Sequence, residues 1–143
     1  MGCLNDMMVR FPSKSANEGF ARVAVAAFVA QLDVTVEELA DIKTAVSEAV
    51  TNAIVHGYEN QKGYITVKCK IKEDIVEISV IDNGHGIEDI EKARQPLYTS
   101  HPELERSGMG FTVMETFMDS IDIASALGVG TTVLMKKKIS VKE

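Results

Sequence analysis

Cysteine is scarce in this chain of 143 residues, with Cys3 near the start and Cys69 inside an alternating stretch. Two thiols so placed make neither a disulfide framework nor a metal site, and a reducing compartment is the simple reading. Long apolar runs are missing as well. The longest, Val23 to Ala30, is far short of the roughly 20 residues that span a bilayer. Met1 to Arg10 lacks the basic-then-apolar order of a signal peptide, so a soluble, cytoplasmic protein with no membrane partner is expected. Met1-Gly2-Cys3 opens like a myristoylation signal, but Asp6 stands where that signal has Ser or Thr. Basic charge is in deficit: 15 Lys and Arg against 21 Asp and Glu leave a net charge of -6 and a pI near 5.1. Direct binding to nucleic acid is therefore not expected, and any anion bound here needs local donors. The G-x-G-x-x-G-x-V and H-R-D signatures of eukaryotic-type protein kinases are absent. So are internal repeats, low-complexity tracts and linkers. The length holds one domain, residues 1–143, with a sizeable core.

What is present is organised around Asp41 to Tyr58. Ile42, Ala45, Val46, Ala49, Val50, Ala53 and Ile54 recur at the spacing of an amphipathic helix, which makes this a core helix. At about 100° per residue, Glu48, Asn52 and His56 form a second row along the margin of the apolar stripe. A side chain there is neither fully buried nor fully wet, which is where a polar site would sit. Thr35-x-x-Glu38 is a capping box that opens the helix, and His56-Gly57 ends it.

In chain order, Met7 to Phe11, closed by Pro12, suits an edge strand. Ser15-x-x-Glu18 reads as a first capping box. Behind it Phe20, Val23, Ala24, Ala27, Phe28 and Gln31 line one side of a helix running to about Leu32, with Val25 and Val29 nearly opposite. A helix apolar all round is usually buried on both sides. The outer face, with Arg22, Val25 and Val29, is accordingly expected to meet a neighbouring protein. Tyr64 to Lys72 and Ile75 to Ile81 alternate apolar with polar around Glu73-Asp74, giving one hairpin. Ser120 to Ala126 and Thr131 to Ile139, joined through Gly128-Val129-Gly130, give another, with a helix from Phe111 to Met118 before it. Strands with one wet face need helices on the other. The expected fold class is α/β, a two-layer sandwich whose mixed, mostly antiparallel sheet is covered on one face by helices.

Between Ile87 and Gly110 no period survives, and a stretch that long inside a domain reads as a functional lid or as disorder. Asp82-Asn83-Gly84-His85-Gly86 precedes it directly after a strand, and Ser107-Gly108-Met109-Gly110 follows it at a helix start. Glycine permits close backbone approach, and main-chain N–H groups at a helix start cradle anions, which suits phosphates. A carboxylate at a strand end can instead accept a hydrogen bond from an amino group such as that of adenine.

With Glu48-Ala49-Val50-Thr51-Asn52 before these two turns and Gly130-Thr131 after them, the chain resembles the GHKL superfamily of ATP-binding domains, whose fold is the Bergerat type. The stretches S-E-A-V-T-N-A-I-V-H-G-Y and P-E-L-E-R-S-G-M-G-F-T-V-M bring it near the anti-sigma F factors, serine kinases of endospore-forming bacteria. The resemblance implies a homodimeric Mg-ATP-dependent protein serine kinase. It would bind and inhibit a sporulation sigma factor of the sigma F type and phosphorylate a serine of an anti-anti-sigma factor. It further implies Asn52 as Mg²⁺ ligand, Asp82 and Thr131 as adenine contacts, and Gly84 and Gly86 as the turn beneath the base. Ser107, Gly108, Met109 and Gly110 would meet phosphate, and Glu48 would be the general base. Arg106 is a candidate phosphate clamp, while His56 reads as the helix cap and His85 carries no role. A lid spanning Arg94 to Ser107 would order further with ATP than with ADP. The alternatives are a stress-response relative with the same reaction, and a module that binds ATP only to change shape. Glu48 discriminates the second, since binding alone needs no base one turn before the metal ligand.

Overall fold

A computed structural model describes residues 5–57, 63–84 and 110–139. The elements run β1 (Asn5–Pro12), α1 (Ala16–Val29), α2 (Val36–Asn52), a π-helical turn (Ala53–Gly57), β2 (Tyr64–Lys72), β3 (Ile75–Asp82), α3 (Gly110–Phe117), β4 (Ser120–Ala126) and β5 (Gly130–Lys138). The strands form one five-stranded sheet in the order β1-β2-β3-β5-β4. Every pairing is antiparallel, so the sheet is antiparallel throughout the described strands. The expected two layers are present: helices cover one face of the sheet, and the other face is polar.

The period-2 alternation decides which face is which. Ile65, Val67, Cys69 and Ile71 of β2 and Val76, Ile78 and Val80 of β3 are buried, while Lys68, Lys70 and Lys72 stand in water. A register slip of one residue would exchange these sets. On the wet face Glu77 lies between Lys72 at 2.9 Å and Lys136 at 3.5 Å. The hydrogen bond from Lys72, then the charges of Lys72 and Lys136, hold its carboxyl below the ordinary range against the opposing effect of burial. Among the core residues, burial pushes the Cys69 thiol up to about 12, so it stays protonated and acts as a small apolar filler.

Helix α2 is the core helix its period predicts: Ile42, Ala45, Val46, Ala49 and Val50 are all buried. Its capping box forms as expected. The Glu38 main-chain N–H donates to Thr35 Oγ1 at 3.0 Å, and the Thr35 N–H donates to Glu38 Oε1 at 2.9 Å. At the far end of the fold Lys137 donates to the Phe117 carbonyl at 2.8 Å and pairs with Asp41 at 3.6 Å, tying β5 to the end of α3 and to α2.

Helix α1 departs from expectation twice. Its buried stripe is Ala21, Val25 and Val29, whereas Phe20 and Val23 are 52% and 59% exposed. The helix is apolar on all sides, so its pattern did not select a face, and packing against α2 did. The small Ala21 and branched valines fit that contact. Phe20 instead rests edge-on against Phe11, ring centroids 6.2 Å apart. The proposed outer surface of Arg22, Val25 and Val29 is thereby overturned for both valines. The Ser15 cap is also absent. Ser15 already has helical angles (φ -55, ψ -34) and makes no side-chain cap bond. Its partner in the predicted box, Glu18, accepts from Ser47 Oγ at 3.3 Å and pairs with Arg22 at 3.5 Å.

Candidate functional site

One row across the sheet turns from apolar to polar. Phe11 opposes Ile65, Ile65 opposes Asp82, Asp82 opposes Thr131, and Thr131 opposes Ser125. Residues directly opposite in a ladder project from the same face, so all of these sit on the helix side. The row begins apolar and turns polar at Asp82. In β3 the inward positions run Val76, Ile78, Val80 and then Asp82, so the strand's own alternation commits a carboxylate to the core side. Carboxylates are rarely this buried without a function or a partner. Asp82 is 6% exposed and Thr131 8%. Asp82 Oδ1 accepts the Gly84 main-chain N–H at 3.0 Å, a local turn at the strand end.

Gly130 sets how closely the two sides of the row approach. A Cβ there would lie 2.1 Å from the Asp82 carbonyl oxygen and 2.8 Å from Asn83 Cα, and its φ is +135. Only glycine fits that position. The three-residue loop between Ala126 and Gly130 carries the other positive-φ glycine, Gly128 at +77.

Asn52 closes the site from the helix layer. It is the last residue of α2, is 8% exposed, and stands with Asp82 and Thr131 as the buried polar side chains among the described residues. Its Oδ1 is buried with no hydrogen-bond partner among them. An orphaned buried acceptor is disfavoured by on the order of 1–3 kcal/mol, and a cation is one group that would satisfy it. The π-helical turn that follows lies against β3 and β5, the strands bearing Asp82 and Thr131. Such turns recur at functional sites because they displace the helix ladder locally. Glu48 is half-buried one turn earlier on the same helix.

The structure thus brings Asp82 and Thr131 side by side, with Asn52 at the end of the helix over their strands. Gly84 is bonded to Asp82, and Gly110 opens α3. Gly86, Arg106, Ser107, Gly108, Met109, His85 and the expected lid lie outside the described residues, as does the side chain of His56. Two features escaped the sequence reading. The π-helical turn has no signature in A-I-V-H-G. Ser125, whose hydroxyl lies 2.8 Å from Thr131 Oγ1 and 3.1 Å from the Gly130 carbonyl, was legible in principle, because the hairpin register pairs it with Thr131.

This fold and site define a class. Residues 11–137 match the histidine kinase-like ATPase domain, and the chain is a member of that class. The RsbU and RsbW domains of a Mycobacterium tuberculosis protein superpose on 96% of this chain and 33% of that one with a TM-score of 0.70, at 22% identity, a likeness of fold. Relatives named anti-sigma F factor match almost end to end. The one from Clostridium beijerinckii is 62% identical over 96% of both chains, and one from Clostridium perfringens is 63% identical over 95% of this chain and 98% of its own. The chain belongs to the anti-sigma F factor family.

Proposed function

We propose that this protein is an anti-sigma factor and an Mg-ATP-dependent protein serine kinase. It binds and inhibits a sporulation sigma factor of the sigma F type and phosphorylates a serine of an anti-anti-sigma factor. The observation that carries the reading is the buried pair Asp82 and Thr131 in that row beneath Asn52, a polar group built into an otherwise apolar interior. The names of the relatives support the choice of partner. In this reading Asp82 accepts a hydrogen bond from the adenine amino group and Thr131 makes a second contact to the base. The orphaned Oδ1 of Asn52 suits Mg²⁺, a hard cation that typically takes one or two protein oxygens together with phosphates and water. When bound, the ion supplies charge neutralisation on the phosphates. Ser107, Gly108, Met109 and Gly110, with Arg106, are assigned to the phosphates as the resemblance implies.

Glu48 is assigned as general base. It takes the proton from the serine hydroxyl of the protein substrate as that oxygen attacks the γ-phosphorus, the bond from phosphorus to the β-γ bridging oxygen breaks, and ADP leaves. Its half-buried place one turn before Asn52 supports the role, since positions i and i+4 are neighbours on a helix surface. The protein works as a homodimer in this reading. The exposed apolar Phe20 and Val23 of α1 support a covered surface on that helix.

Mixing the protein with labelled ATP and candidate antagonist proteins tests the proposal. Label should pass to a serine of one of them, and Glu48→Gln should slow transfer by about 10²–10⁴ while nucleotide still binds. ATP binding with no transfer to any antagonist would instead identify a module switched by nucleotide without chemistry.

A further inference from the structure

We propose that Ser125 is a positioning residue for base selection: it holds the Thr131 hydroxyl proton, so that Thr131 faces the base as an acceptor and the site favours a purine with an amino group at C6 over one with an oxo group. The inference rests on the nucleotide-site reading above and deepens it. Ser125 is half-buried on β4 directly opposite Thr131. Its Oγ lies 3.1 Å from the Gly130 carbonyl oxygen and 2.8 Å from Thr131 Oγ1.

A carbonyl oxygen can only accept, and a serine hydroxyl has one proton. Both contacts are therefore made together in a single arrangement: Ser125 donates to Gly130, and Thr131 donates to Ser125. The Thr131 proton then points toward β4, and its lone pairs are left for the pocket. Beside it across the ladder stands Asp82, whose carboxylate is also an acceptor. Two neighbouring acceptors suit the amino group of adenine. They offer no donor to the oxo group of hypoxanthine or guanine, which would sit against them unpaired.

Removing the Ser125 hydroxyl frees the Thr131 proton. Thr131 could then donate to a C6 oxo group while Asp82 accepts the purine N1–H, a matched pair that the native network forbids. Loss of one hydroxyl should thus improve binding of the wrong nucleotide, which general damage to the site would not do.

The experiment is calorimetric titration with ATP and with inosine triphosphate, which differ only at this edge of the base. Ser125→Ala should narrow the preference for ATP by about 3–10-fold, the value of one hydrogen bond, with inosine triphosphate itself binding more tightly. Ser125→Thr, which keeps the hydroxyl, should restore the native ratio. In a Thr131→Val background Ser125→Ala should leave the ratio unmoved. An unchanged ratio in Ser125→Ala, or equal weakening of both nucleotides, overturns the inference and leaves the nucleotide site standing. Failure of the unmodified protein to bind either nucleotide overturns the site reading and this inference with it.

Discussion

Replacing Gly130 with alanine probes the close contact on which the geometry of the row depends. The added Cβ would meet the Asp82 carbonyl oxygen at 2.1 Å, Asn83 Cα at 2.8 Å and the Asp82 carbonyl carbon at 2.9 Å. All three are main-chain atoms of the strand end next door, so no side chain can swing aside. The φ of +135 adds strain for any residue with a Cβ, on the order of 1–3 kcal/mol. Relieving the clash requires β3 and β5 to part near the Asp82 and Thr131 pair, and each main-chain hydrogen bond lost adds roughly 0.5–1.5 kcal/mol. Together these come to about 3–5 kcal/mol, a large share of the ~5–15 kcal/mol that holds a typical domain. At about 2–4 °C per kcal/mol for a chain near this size, the melting temperature should fall by roughly 10 °C, and ATP binding should fall with it. Gly128→Ala is the internal control on the same hairpin. Its φ is +77, but nothing lies within 4 Å of its Cβ, so only the backbone preference is lost, about 1 kcal/mol. Thermal and urea denaturation of both variants settle the point. If Gly130→Ala melts within a degree or two of Gly128→Ala, the strands are not as close as described.

Asn52→Ala should leave the ligand-free protein within about 1 kcal/mol of the native stability, because the acceptor lost with the amide is an unsatisfied one and its removal offsets part of the lost packing. ATP affinity, measured with and without Mg²⁺, should meanwhile lose its dependence on the metal; a variant that keeps that dependence refutes the assignment. Glu77→Gln should lower stability at neutral pH by up to about 1 kcal/mol, the usual worth of exposed ion pairs. The folded carboxyl titrates below its ordinary value, so its contribution is present above the unfolded pKa and is lost as pH falls through the folded one. Denaturation curves of the two proteins should accordingly converge below about pH 4, and a gap that widens in acid would show that Glu77 is not held in its charged form.

Most of the scaffold was legible in the sequence for identifiable reasons. Helix α2 shows an unbroken apolar stripe with polar margins, and its Thr35 and Glu38 cap stands at the right spacing, so period and boundary agreed. The strands alternate cleanly, and alternation also assigns Asp82 to the core side before any coordinates are known. Helix α1 was different. With valine, alanine or phenylalanine on every side, its periodicity could not choose between stripes, and only the contact with α2 and the sheet buried Val25 and Val29 rather than Val23. Ser15 was misread because a serine three residues before a glutamate is a cap only if its own backbone stays extended, and here the chain has already turned into the helix. In the site, Asp82 and Thr131 were proposed from the resemblance to the GHKL domains, Asp82 also as a carboxylate at a strand end. The network that orients Thr131 depends on strand register, which spacing along the chain does not encode.

The central claim, that the polar part of the buried row, from Asp82 onward, is the base-binding end of a nucleotide site, is tested most directly by calorimetric titration of the native protein and Asp82→Asn with ATP in the presence of Mg²⁺. The substitution keeps size and an oxygen for the Gly84 N–H but replaces a charged acceptor with an amide that can present a donor to the base amino group. The native protein should bind ATP, and the variant should lose roughly 10–100-fold in affinity, as expected for one hydrogen bond to a charged group, with its melting temperature little changed. Equal affinity in the two proteins, or no binding by the native one, would contradict the account.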